Sequence, residues 1–344
     1  MKAVARPGRW SRRLWDRCEY RNSGGQRSVA YPRDSPPAEI QSGNSCRSPK
    51  ACGATGLARP ALLERHFQSA PFSPRPLPIR WRVRSNRAVL VIANYEEALR
   101  RLRLGTLAGV KSFRGDLIKN HKGRRDIQRL QIAVKGQPLT LFLKRNWRPY
   151  KKDGLHSLLT RGAVWSLSRV EWENSLALQR AKIAVAEPVA FGEECGPLLE
   201  KFSFIITAAA RGEITLDKFL ASNPDAAEQT RVLEALARFV RKLHDAGLAS
   251  PDLFTRHIFL TRGPTPEFCL IDMARLDRRA KLSPALRARD LAALHVTAPQ
   301  RFLTTPDRLR FLERSGATEL LPRIQARARH LLQRKKFRDF SSPG

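Results

Sequence analysis

The 344-residue chain is 42% hydrophobic and 28% charged, with 64 Lys and Arg against 31 Asp and Glu and a formal net charge of +33. That length and apolar content suffice for one large core or for two lobes around a cleft, and they exclude a small binding module. The charge favours anionic partners such as nucleic acid, lipid head groups or phosphorylated glycans without choosing among them, and an arginine-rich composition also follows from a GC-rich genome.

Residues 1–85 are rich in Arg, Pro, Ser and Gly, hold three of the five cysteines, and show no sustained helical or strand period. They read as a disordered basic arm able to meet nucleic acid or an anionic membrane. Alternatively, since Met1 and Met273 are the only methionines, a natural start at a non-AUG codon would make this stretch untranslated sequence. The first 30 residues carry charges in place of a signal-peptide apolar core, and no apolar run approaches the roughly 18 residues that span a bilayer. Cys18, Cys46, Cys52, Cys195 and Cys269 have neither CxxC pairing nor Cys/His metal spacing, which fits a reduced compartment. The expected location is the cytoplasm or its membrane face.

From Ala88 the pattern becomes regular. AVLVIANY predicts a strand and EEALRRLRLG a short helix ending at Gly105; Ile127–Val134 and Leu139–Lys144 predict strands joined by the turn-rich KGQP. Leu167–Ala181 has helical period, with Val170, Ser175, Leu178 and Ala181 on one face and Glu171 near its start. KFSFIIT makes a further strand before AAARG, a natural hinge. Ala226–His244 is a strongly amphipathic helix carrying Val232, Leu233, Leu236, Phe239, Val240 and Leu243, and Pro284–Gly344 reads as helices with the basic end RKKFRD. Strands first and helices later predict an α+β chain of two lobes, 86–207 and 208–344, with a cleft at about Thr207–Gly212.

The chemistry concentrates in residues 244–275, HDAGLASPDLFTRHIFLTRGPTPEFCLIDMAR. A helix ends at Gly247, a loop presents Asp252, two short apolar runs flank the turn TRGPTP, and Asp272 follows the second. In kinase-like enzymes a loop Asp accepts the proton of the attacking hydroxyl, a side chain five residues later holds metal, and an Asp after the hairpin binds Mg²⁺ bridging the ATP phosphates. Asp252, His257 and Asp272 stand at those positions. Asp252 could instead stabilise a turn after Pro251, and His257 could be a loop or core histidine. Asp272 ends the apolar run FCLI, where an acid is costly unless paired or bound to metal. Lys144, at the end of LTLFLK, could contact phosphates, with Glu171 as its ion-pair partner; Glu173, about 200° round the helix, cannot share that role. Gly123, between Lys122 and Arg124–Arg125, is the best phosphate-cradling turn, and a solvated hairpin is the alternative.

Together LTLFLKR, EWENSLALQRAKIAVAEPVAFGEE, FSFIIT, LHDAGLASPDLFTRHIFL, LIDMAR and RARDLAALH, in this order over about residues 88–300, resemble the lipopolysaccharide core kinase family, the bacterial Kdo and heptose kinases. The resemblance implies a two-lobed protein-kinase-like fold, with Lys144 as the ATP lysine, Glu171 its partner, Asp252 the catalytic base and Asp272 the Mg²⁺ ligand. It also implies that His257 is the family's residue at its place and that Asp290 braces the large lobe. One departure is Ser250-Pro251-Asp252, where the family usually reads His-Arg-Asp or similar; it leaves room for reduced activity, while proline stiffens the loop. The resulting expectation is an ATP- and Mg²⁺-dependent kinase. It would phosphorylate a Kdo or heptose hydroxyl of a lipid-linked glycan, lipopolysaccharide core, at the anionic surface of the inner membrane. The rivals are a kinase of the same fold acting on protein or a soluble small molecule, or a pseudokinase. Nucleic acid is not expected, since no helix-turn-helix, zinc spacing or RNP-like motif is present.

Overall fold

A computed structural model describes residues 89–337 apart from 135, 148, 150–162, 197–198, 301–302 and 335–336. The expectations for residues 1–85 and for most of the RKKFRD end lie outside the described residues.

The first half of the described chain builds an antiparallel sheet. After β1 (Val89–Val91), the helices α1 (Glu96–Arg101) and α2 (Leu107–Ser112) lead to β2 (Asp116–His121), β3 (Arg125–Val134) and β4 (Gln137–Asn146). Thr106 starts α2 by accepting from the Gly109 N–H through its hydroxyl at 3.1 Å. Then come α3 (Leu167–Arg180), β5 (Pro188–Cys195) and β6 (Glu200–Ala208). The sheet runs β1-β5-β6-β4-β3-β2, and β3 and β4 pair without interruption from Arg125↔Asn146 to Val134↔Gln137. Leu130, Ile132, Leu141 and Leu143 point from this hairpin into a core with Leu99, Leu104, Val110, Phe204 and Ile206. On the other face α3 packs Trp172 and Leu176 against Phe191 and Ile205.

Three sequence expectations need correction here. β2 was not anticipated: all six of its residues are exposed and polar or apolar without alternation, so no period betrays it. β5 was masked by Pro188 and Gly192, which weaken a strand signal although Pro188 sits at the strand's first position. The face proposed for α3 holds only in part. Ser175 and Leu178 are buried, Val170 and Ala181 are half-buried, and Trp172 and Leu176 carry the packing on the sheet.

Past the connection at Ala209–Glu213 the chain turns helical. β7 (Ile214–Thr215) and α4 (Leu216–Ala221) precede α5 (Ala226–Asp245), whose apolar stripe Val232, Leu233, Leu236, Val240 and Leu243 is buried as its period requires. Each such side chain contributes about 1.5–3 kcal/mol on burial. Then follow β8 (Leu248–Ala249), β9 (Ile258–Thr261), β10 (Glu267–Leu270), β11 (Asp277–Arg278), α6 (Pro284–Thr297), α7 (Thr305–Arg314) and α8 (Leu321–Leu332). α5, α6 and α8 share a second core with β9 and β10. Gly247 closes α5 at φ +73°, and a Cβ there would lie 1.9 Å from the Arg279 carbonyl oxygen, so the chain can cross this closely only at glycine. The two halves are stitched by Ala186 and Leu270, whose backbone hydrogen bond is 2.8 Å.

Candidate active site

β4 delivers Lys144 and α3 delivers Glu171, and their side chains meet at 2.6 Å with 12% and 6% of their side-chain surfaces exposed. Burial alone would lower the lysine's proton affinity, but Glu171 and Asp272 raise it, so Lys144 stays an ammonium. The same Nζ lies 3.4 Å from Asp272, drawing together residues 128 positions apart. Glu173 is half-buried and has no part in this contact.

Asp272 follows β10 in the left-handed region at φ +58°, a conformation that Asp tolerates better than bulkier residues. Its neighbours are held from above by Asn174 on α3, whose amide donates to the Met273 carbonyl at 2.9 Å. Burial would raise the carboxyl pKa, yet Lys144, Arg125 and His257 together bring it down to about 2. Arg125 arrives from the start of β3 and stands 3.6 Å from Asp272. Sequence reasoning placed Arg125 only in a basic turn; its contact with Asp272 has no local signal. That turn is the β2–β3 connection, with Lys122 at φ +51° and Gly123 at φ +69°, the left-handed pair that a tight hairpin demands. The Gly123 N–H donates to the Asn120 side chain at 2.8 Å.

Asp252 lies in the loop between β8 and β9, half-buried, with Arg275 donating to its carboxylate. The loop is fixed from several sides. The Ser250 N–H donates to buried Asp290 on α6 at 2.6 Å, the Asp252 N–H to the Ser250 hydroxyl at 3.2 Å, and the Thr255 hydroxyl to the Thr297 carbonyl at 2.6 Å. Asp290 is gripped in turn by Arg289 at 2.9 Å and faces His244, 3.4 Å away. This carries out the bracing expected of Asp290 and gives His244 a structural place. The Nδ1 of His257 is 3.0 Å from the Asp252 carbonyl; because a carbonyl only accepts, Nδ1 carries the proton and Nε2 is left as an acceptor. Burial holds His257 below its ordinary pKa, which keeps the ring neutral near pH 7. The structure thus joins Lys144, Glu171 and Asp272 by direct contact, sets His257 on the Asp252 backbone and within electrostatic reach of Asp272, and connects the Gly123 turn to Asp272 through Arg125.

A buried Lys–Glu pair, an ionised Asp after a hairpin and a braced loop Asp are the parts that phosphoryl transfer calls for in kinase-like enzymes. Residues 108–314 match the sequence model of the lipopolysaccharide kinase (Kdo/WaaP) family. The chain belongs to that family. Among its relatives are the lipopolysaccharide core heptose(I) kinases WaaP of Pseudomonas aeruginosa, 28% identical over 63% of this chain and 83% of the relative, and of Escherichia coli K12, 28% identical over 60% and 79%. A solved structure described as WaaP in complex with acyl carrier protein matches 74% of this chain and the whole of its own chain at a TM-score of 0.53 and 23% identity, a likeness of fold. As a lipopolysaccharide kinase the chain is an ATP-dependent phosphotransferase with an alcohol acceptor. Among the described residues no helix is long and apolar enough to cross a membrane. No group of three or more His, Cys, Asp or Glu among them forms a metal cluster.

Proposed function

We propose that this lipopolysaccharide kinase transfers the γ-phosphate of ATP to a Kdo or heptose hydroxyl of a lipid-linked core glycan at the cytoplasmic membrane face. The lobes divide at about residue 207. The observation that carries the site assignment is the Asp272 carboxylate, held ionised between Lys144 and Arg125 and facing a neutral His257. The ionised carboxylate fits Mg²⁺, a hard ion that commonly takes one or two protein carboxylates and fills the rest of its shell with phosphate and water, while the neutral imidazole is the weaker ligand. Asp272 and His257 would hold the ion. When bound, Mg²⁺ would supply positive charge that offsets the charge developing on the phosphates during transfer.

Lys144, oriented by Glu171, binds nucleotide phosphate as a fixed ammonium, and the turn at Gly123 with Arg125 adds positive charge over the same place. Asp252 orients the acceptor hydroxyl and takes its proton. Ser250-Pro251 is compatible with this role because Asp290 and Thr297 hold the loop without the usual His-Arg pair. Phosphate transfer from ATP to lipid A bearing Kdo, or Kdo and heptose, tests the proposal. Turnover by the wild type that Asp252→Asn lowers at least a hundredfold supports it, and a wild type inert on both acceptors overturns it.

A further inference from the structure

Exposed large apolar side chains among the described residues are Leu117 at 53%, Ile118 at 51%, Leu199 at 38% and Leu309 at 37%. The two most exposed are adjacent, and both lie on β2, the edge strand that pairs with β3 alone. An edge strand carrying Leu-Ile in water is a liability unless something covers it. The surrounding charge says what. The acids Asp116 and Asp126 are matched by Arg129 and Arg145, which leaves Arg114 and Lys119 as surplus positive charge beside the apolar pair. Residues 1–88 carry 18 Lys and Arg against 5 Asp and Glu, and the whole chain is at +33, so the chain's own arm and a second copy are both repelled. The register shift between Leu117 and Lys119 bulges the strand, which disfavours an added strand.

We infer that β2 is the membrane-docking edge of this protein, seating Leu117 and Ile118 among the acyl chains of an anionic bilayer while Arg114 and Lys119 meet lipid phosphates. Apolar side chains with flanking cations are the composition of interfacial anchors, and each cation near an anionic leaflet adds to binding. The same hairpin carries Arg125 to within 3.6 Å of Asp272, so docking along β2 sets the phosphate site at the bilayer surface. This rests on the lipid-linked acceptor proposed above and adds the surface that reaches it.

The test uses the full chain with vesicles of phosphatidylethanolamine and phosphatidylglycerol, and with phosphatidylcholine vesicles, at about 0.5 M salt, where screening weakens attraction by exposed cations such as those of the arm. Leu117→Thr with Ile118→Thr places β-branched, strand-favouring residues at both positions without changing charge, and Ile118→Trp adds an interfacial aromatic. Expected are a tenfold or greater loss of partition to the anionic vesicles for the double variant and a gain for Ile118→Trp. Phosphate transfer should fall on vesicle-embedded acceptor and stay unchanged on detergent-dispersed acceptor. Equal partition of all three proteins overturns the inference, as does a change in oligomeric state on substitution, which would mean that a second copy covers β2. If no protein transfers phosphate to either acceptor, the acceptor assignment fails while the partition result still decides the docking surface.

Discussion

Arg275 donates through Nη1 to both carboxylate oxygens of Asp252, at 3.2 and 3.4 Å. The guanidinium side chain is 63% exposed and the carboxylate 17%, so this is a surface cation lying over a sheltered acid. An exposed pair of this kind contributes about 0–1 kcal/mol, little enough for an acceptor hydroxyl to displace it.

Arg275→Ala is therefore expected to change turnover by less than about tenfold, the span of that pair energy. Asp252→Asn should cost roughly two or more orders of magnitude, the scale of a positioned general base. Steady-state transfer to lipid-linked Kdo or heptose compares them. Equal rates for wild type and Asp252→Asn would remove Asp252 as the base.

The pair of Lys144 and Glu171 makes a prediction about stability. Glu171→Gln strands a largely buried ammonium with Asp272 as its remaining carboxylate, and breaking such pairs costs about 3–5 kcal/mol, with Asp272 at 3.4 Å moving the outcome to the lower end. Glu173→Gln, on a half-buried residue outside the pair, should stay within about 0.5 kcal/mol. Urea unfolding of the two variants decides it; similar losses would mean that the helix, and not the pair, was disturbed.

The grouping of these residues was legible in the sequence because kinase-like spacing acts locally: Asp252, His257 and Asp272 sit on one loop and hairpin, and Lys144 follows the apolar run of β4, a strand that continues two residues further, to Asn146, than the apolar pattern marked. The helix Ala226–Asp245 was legible because its stripe repeats with helical period. What period could not convey was contact between distant segments. Arg125 beside Asp272 and Arg275 on Asp252 arise from tertiary closure between segments that look like ordinary basic loops. β2 escaped for a related reason, since an edge strand exposed along its whole length has no buried face to impose alternation.

Asp290 receives the Ser250 N–H at 2.6 Å and two donors of Arg289 while wholly buried. Asp290→Asn keeps the shape but loses the charge facing Arg289; because Arg289 is partly exposed and keeps Asp277 at 2.6 Å, the cost should fall below the about 3–5 kcal/mol of a stranded buried charge. Because Ser250 is two residues from Asp252, the loop should loosen before the fold is lost. Hydrogen exchange would show faster amides across 250–255, with turnover falling more than nucleotide affinity. Unchanged exchange there would leave Asp290 without a bracing role.

His295 on α6 gives a pH dependence. Burial, with Arg308 adding to it, brings the imidazole from 6.5 down to about 4. Above pH 6.5 the ring is neutral in both folded and unfolded chains and the histidine has no effect on their balance. As pH falls from 6.5 towards 4 only the unfolded chain takes up the proton, so stability is lost across that window, and below about 4 both states are charged and the loss is complete. A shift of this size corresponds to about 3 kcal/mol. The wild type is expected to lose stability relative to His295→Gln by that order between pH 7 and pH 4 in urea unfolding. Parallel stability curves for the two proteins would mean that His295 titrates at its ordinary value in the folded chain.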